Sequence, residues 1–183
     1  MSVEYYPQVS NFIIGHRYNN IHNRCYNPNY HKGKNPYLSV CWMEDKWLGK
    51  EGRKNFKHWF KDGFYRIPGE QIDIDKDILI PGNKMYGSET CLFVPHTINV
   101  AVERIYREPV YMKGMDKWSI SICRNGKNEP LGYFNTKEEA EQYYIEFKRA
   151  YYYGLIHTFK NKIPNHVYKA VIDFVCNDSN YHK

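Results

Sequence analysis

Residues 71–80 read Gln-Ile-Asp-Ile-Asp-Lys-Asp-Ile-Leu-Ile. Ile72 and Ile74 alternate with Asp73 and Asp75, and after a one-residue shift Ile78 and Ile80 continue the apolar set. Period-two alternation marks a half-buried strand, here with Asp73, Asp75 and Asp77 along its acidic face. Pro81-Gly82-Asn83 turns the chain, and Cys91-Leu92-Phe93-Val94 is a second short apolar run. Pro95 stands where a helix begins, with Ile98, Val102 and Ile105 spaced on one face. A strand, a turn, a strand and a helix in that order predict a compact ββα unit over 71–105. Such a unit brings a strand carboxylate close to a helix amide.

On the N-terminal side, residues 10–26 predict a short helix that stops at Asn27-Pro28. Residues 27–36 form a polar, basic loop that includes His31, Lys32, Gly33 and Lys34. Residues 37–60 are dense in aromatics, and Asn55 to Phe60 opens a helix whose apolar face carries Phe56, Trp59 and Phe60. On the C-terminal side, 109–113 and 117–124 read as strands, Asn125-Gly126 as a hairpin turn, and Leu131 to Phe134 as a third strand. Asn135 or Thr136 caps a helix through about Tyr153, with Glu138 and Glu139 near its positive end and Gly154 to close it. A final helix covers His166 to Phe174, followed by a polar tail. The fold class is α+β. An aromatic-rich helical part and the ββα unit occupy 1–106; a three-stranded antiparallel sheet packed on one helix, with a terminal helix, occupies 107–183.

The chain has 183 residues and a net charge of +6, which suggests a polyanionic partner. Mean hydropathy is −0.74, and no apolar run approaches the ~20 residues of a membrane span. The first residues have neither a basic nor an apolar signal segment, so a cytoplasmic protein without a membrane partner is expected. Cys25, Cys41, Cys91, Cys123 and Cys176 are scattered and never paired as CxxC, as reduced, mostly buried thiols are. Zinc on Cys25, Cys41 and Cys91 with His31 or His58 is disfavoured, since structural zinc uses closely spaced ligand pairs.

The run Asp75-Lys76, Gly82-Asn83, Thr90-Cys91-Leu92-Phe93-Val94-Pro95 and Ile98-Asn99-Val100 resembles the HNH homing endonucleases of phages. The resemblance implies a ββα-metal fold and a divalent cation, Mg²⁺ or another, held by Asp75 and Asn99. A carboxylate and an amide oxygen, completed by water and phosphate, suit a hard cation that stabilises the leaving oxygen in phosphodiester cleavage. The family's general-base histidine falls on Lys76, and its middle asparagine on Thr90. A general base must be unprotonated, whereas lysine ordinarily titrates near 10.4, so Lys76 reads better as a phosphate or carboxylate partner. His96, three positions before Asn99 on roughly the same helix face, is the substitute base. The alternative for Asp73, Asp75 and Asp77 is a solvated strand face.

Lys117-Trp118 to Arg124, Leu131-Gly132-Tyr133-Phe134 and Thr136-Lys137-Glu138-Glu139-Ala140 resemble the ethylene-response-factor DNA-binding domain. Trp118, Ile120 and Ile122 then pack onto a helix face carrying Ala140, Tyr144, Phe147 and Tyr151. The outward face is expected in the major groove of double-stranded DNA. Tyr111, Lys113, Ser121 and Cys123 are expected on it, with Arg124 and Lys127 at the hairpin. The arginines of the plant family are mostly missing, which favours phosphate contact over guanine readout. Two functions follow. One is a metal-dependent DNA nickase of HNH type. The other is an inactive HNH-derived phage protein that binds DNA as a regulator, or that blocks a host defence nuclease such as a CRISPR effector in the manner of an anti-CRISPR.

Overall fold

Ser10 accepts a hydrogen bond from Ile13 N and so starts α1, Asn11–Tyr26. Asn35 ends it: its Nδ2 donates to the carbonyls of Arg24 (2.9 Å) and Asn27 (2.8 Å). The computed structural model of the protein describes residues 3–30, 35–103, 107–124 and 127–181, without the side chains of Glu103, Cys123, Arg124, Asp178 and Tyr181. His31 to Lys34, Ile105 and the Asn125-Gly126 turn therefore lie outside the described residues.

The described residues form five α-helices and three small sheets, an α+β architecture. β1 (Trp42–Met43) pairs in parallel with β3 (Met85–Tyr86). Helix α2, Gly49–Gly63, begins six residues earlier than its aromatic signal at Asn55. β2 (Ile72–Asp75) runs antiparallel to β4 (Leu92–Pro95), and α3 (His96–Glu103) follows β4 directly. The strand expected through residue 80 stops at Asp75. Ile78 is buried in the following turn, whereas Ile80 is exposed.

Aromatic packing sets the position of this strand pair. Phe93 of β4 stacks on Trp59 at 4.6 Å and meets Phe60 edge-on at 4.9 Å, both from α2. Trp47 closes the cluster against Phe56 and Trp59. Offset and edge-to-face ring pairs add about 1 kcal/mol each beyond their burial, so β4 and the helix it launches are held firmly. The loop from β2 to β3 is tied by reciprocal bonds: Asn83 Nδ2 donates to Lys76 O at 2.9 Å, and Lys76 Nζ donates to Asn83 O at 2.6 Å. Gly82 supplies the positive φ of 74° that this turn needs.

β5 (Val110–Met112), β6 (Lys117–Arg124) and β7 (Lys127–Phe134) form an antiparallel sheet of order β5-β6-β7. Thr136 caps α4, Lys137–His157, through a capping box with Glu139. Ile120, Ala140 and Tyr144 make a small core with Trp118, Leu131 and Phe134, so Trp118 packs as expected. The buried stripe of α4 differs from expectation. It runs Ala140, Tyr144, Lys148, Tyr152, the four-residue row of a helix, while Tyr151 is exposed. Gly154 lies inside α4 and does not end it, because Ile156, one turn beyond Tyr152, is buried too. Helix α5, Asn165–Cys176, completes the chain's regular structure apart from short 3-10 turns.

The main core crosses the expected division at 106/107. It joins Ile14, Tyr18, Trp47, Phe60, Phe93 and Ile98 with Ile145, Tyr152, Ile156, Val167 and Val171. Tyr152 Oη donates to Ala101 O at 2.8 Å and so ties α4 to α3. Among the described residues no helix is long and apolar enough to cross a membrane.

Candidate functional site

The first turn of α3 lies over the end of β2 because two contacts hold it there. His96 N donates to Gln71 O at 2.8 Å. The Glu70 carboxylate accepts from Thr97 N at 2.9 Å and from its hydroxyl at 3.0 Å, placing an anion at the positive end of the helix. His96 and Asn99, three residues apart on α3, therefore share the face turned towards Asp73.

Asp73 is the hub. Its Oδ2 meets His96 Nδ1 at 2.6 Å and accepts from Asn99 Nδ2 at 3.3 Å, and its Oδ1 accepts from Gln71 Nε2 at 2.6 Å. Burial pushes the Asp73 carboxyl up, but the hydrogen bonds from Gln71, His96 and Asn99 outweigh it and hold the group below the usual carboxylate range. An ionised carboxylate only accepts, so Nδ1 of His96 carries the shared hydrogen. In the neutral ring, Nε2 is then the acceptor. Arg17 of α1 stands behind, donating to Ile72 O at 3.0 Å with its other nitrogen 3.8 Å from Asp73.

Asp75 does not join this group. Its Oδ1 accepts from Asp77 N at 2.9 Å and Ile78 N at 2.7 Å, an Asx turn that ends β2. Among the described residues it has no hydrogen bond to Asn99, so the expected Asp75–Asn99 pair is replaced by Asp73–Asn99. Lys76 points away from Asp73 and Asn99 in its bonding. Its Nζ donates to both oxygens of Asp77, at 2.7 and 2.8 Å, and to Asn83 O, which uses all three ammonium hydrogens. It is a carboxylate partner, as its position between aspartates suggested. Thr90 supports the same turn through Met85 O at 2.8 Å.

Burial pushes the Asp75 carboxyl up to about 6, against the pull of the Ile78 and Asp77 amides. A raised acid stabilises the fold fully below the unfolded value near 3.8, and that contribution is lost as pH rises through about 6. Asp75→Asn keeps the acceptor oxygen without the charge. It is expected to raise stability by roughly 1–3 kcal/mol at pH 7.5, and by little at pH 4. Thermal melts at both pH values check this, and a variant less stable than wild type at pH 7.5 would overturn it.

Asp73, His96 and Asn99 line a cleft of about 340 Å³ together with Arg17, Asn20 and Arg24 of α1. Asn99 Oδ1 is buried without a hydrogen-bond partner. Three of the roughly four lone-pair positions of the Asp73 carboxylate are used. One carboxylate position and one amide oxygen therefore remain, a donor set that fits a hard cation. Among the described residues no group of three or more His, Cys, Asp or Glu side chains is placed to hold a metal.

The expected DNA-contacting residues are dispersed over the sheet. Ser121 lies on the side away from α4, opposite buried Ile120 and Ile122. Tyr111 does not: it pairs with Trp118 in register and packs on its ring, so it shares the α4 side, and its hydroxyl bonds Asp116. Exposed Lys113 and Lys127 sit at opposite ends of β6, on the order of 20 Å apart at the rise of a strand. The side chains of Cys123 and Arg124 lie outside the described residues. The open face carries Val110, Met112 and Tyr133, all exposed.

Neither Arg17 nor Arg24 was singled out by the sequence, since an arginine on a half-buried helix carries no local signal. No family model matches the chain, and neither the curated proteins nor the solved structures contain a match to it.

Proposed function

We propose that this chain is a DNA-binding protein related to the HNH endonucleases, and that it nicks duplex DNA with the help of a divalent cation at Asp73 and Asn99, beside His96. The observation that carries this reading is the meeting of a strand carboxylate, a helix amide and a histidine on one ββα unit, beside two arginines. Asp73 and Asn99 would hold the cation, which when bound supplies charge stabilisation to the phosphodiester leaving oxygen. Asp73 also fixes the ring of His96, leaving Nε2 to take a proton from the attacking water. Arg17 and Arg24 make the cleft attractive to phosphate. The three-stranded sheet adds contacts that position the duplex.

A second reading is favoured by one observation. Lys76 stands where the resemblance places the general base, and Asp77 and Asn83 fully engage it. In that reading the chain binds DNA as a regulator, or occupies a host defence nuclease such as a CRISPR effector, and does not cut. Supercoiled plasmid incubated with the protein and Mg²⁺ or Mn²⁺ separates the two. Conversion to open circles that EDTA stops supports the nickase. Retained DNA binding with no nicking under any divalent metal supports the second reading, as does co-purification with a nuclease whose cutting it reduces.

A further inference from the structure

We infer that the α1 wall of the cleft, formed by Arg17, Asn20 and Arg24, is a grip for the backbone phosphates of duplex DNA. The inference rests on the DNA-binding reading above and adds the residues that receive the anions. The three side chains are spaced i, i+3 and i+7, so they occupy one face of α1. All three line the same cleft as Asp73, His96 and Asn99.

Each guanidinium has five N–H donors in a planar fork. Arg17 spends one nitrogen on Ile72 O at 3.0 Å, and the 3.8 Å to Asp73 is beyond hydrogen-bond reach. Arg24 donates through Nη1 to Tyr86 Oη at 2.9 Å, with its guanidinium carbon 4.9 Å from the centre of the Tyr37 ring. These contacts anchor both planes and leave further donors for a ligand. Preorganised groups of this kind lose little freedom on binding.

The two guanidiniums outnumber the single Asp73 carboxylate of the cleft by one positive charge. Arg17 and Arg24 start two helical turns, about 10 Å, apart. That spacing favours a polyanion with repeated charges over a small single anion. Asn20 lies between them; its Nδ2 is 3.1 Å from His16 Nε2, which leaves its second amide hydrogen for the same ligand.

Fluorescence anisotropy of a labelled duplex, in EDTA and at several salt concentrations, tests the grip without any cleavage. Arg17→Gln and Arg24→Gln are each expected to weaken binding by roughly 5- to 10-fold at low salt. Each should also lower the slope of log Kd against log salt by about 1. Asn20→Asp, which touches neither anchor, is expected to weaken binding as well. Asp73→Asn should tighten it, since it removes the cleft's negative charge. Thermal melts identify any variant that has lost its fold, and Asn20→Asp carries the test if an arginine variant does.

Wild-type binding with unchanged Kd and slope in folded arginine variants and in Asn20→Asp overturns the grip and leaves the proposed function standing. No binding by the wild type overturns the DNA reading itself. Reduced slopes without nicking support the grip and remove only the cleavage step.

Discussion

Asp73→Ala is expected to abolish cation-dependent nicking, a loss on the order of 10³-fold or more, while Asp75→Asn retains it. Asp73 is where three side chains meet: Gln71, His96 and Asn99 all bond its carboxylate. On the proposed reading, removing it would take the charged ligand from the cation, and it frees the His96 ring to rotate. The second effect alone is worth roughly 10²- to 10⁴-fold where the ring is the base. Asp75 lies two residues further along β2, and its Oδ1 is committed to the turn amides. An asparagine there still accepts those bonds, so the turn survives. The rate of plasmid nicking in Mn²⁺ and Mg²⁺, with melting curves to confirm folding, checks both variants. The opposite result, activity kept without Asp73 and lost in Asp75→Asn, would restore the ligand that the HNH resemblance implies.

Period-two alternation cannot choose between these two aspartates. Asp73 and Asp75 have the same parity and so leave the strand on the same side. What separates them is where the strand stops. Asp75 is its last residue and is captured by the amides of Asp77 and Ile78, whereas Asp73 pairs opposite Val94, one residue before the strand end that launches α3. That is a tertiary fact, and nothing local announces it. Local signals that do not need tertiary context were legible. They include the end of α1 at Asn27-Pro28, the strand before 125–126, and the start of α4 at Asn135 or Thr136, of which Thr136 is the cap; the strand after the turn begins at Lys127, four residues before the expected Leu131.

Packing overrode propensity in the second half of α4. Gly154 reads as a stop, but Tyr152 and Ile156 are buried in the main core and carry the helix past it. Lys148 lies on the same buried stripe, with its ammonium 5.1 Å from the centre of the Tyr152 ring and 5.5 Å from that of Tyr144. A lysine stem packs as hydrocarbon, and aromatic faces accept its charge, a combination visible only once the tyrosines are placed.

Gly52→Ala is expected to destabilise the fold by roughly 1–3 kcal/mol, against the usual benefit of alanine in a helix. Gly52 sits in the first turn of α2, pressed against the short 3-10 turn Asp45–Trp47. A Cβ at this position would lie 2.1 Å from Trp47 C and 2.5 Å from Trp47 O. Those are backbone atoms, so no rotamer change relieves the clash. Trp47 has to move, yet its ring is buried against Phe56 and Trp59, and its carbonyl accepts from Tyr18 Oη at 2.8 Å. Overpacking costs about 1–3 kcal/mol and the lost hydrogen bond about 1 kcal/mol, while helix propensity returns only about 1 kcal/mol. At about 2–4 °C per kcal/mol for a chain of this size, the melting temperature should fall by roughly 2–12 °C. Gly15→Ala in α1 is the matched control, since nothing lies within 4 Å of its Cβ position. The same substitution there should raise stability by up to about 1 kcal/mol. Equal and small shifts in the two variants would mean that the contact between α2 and Trp47, on which the whole aromatic cluster leans, is looser than the structure places it.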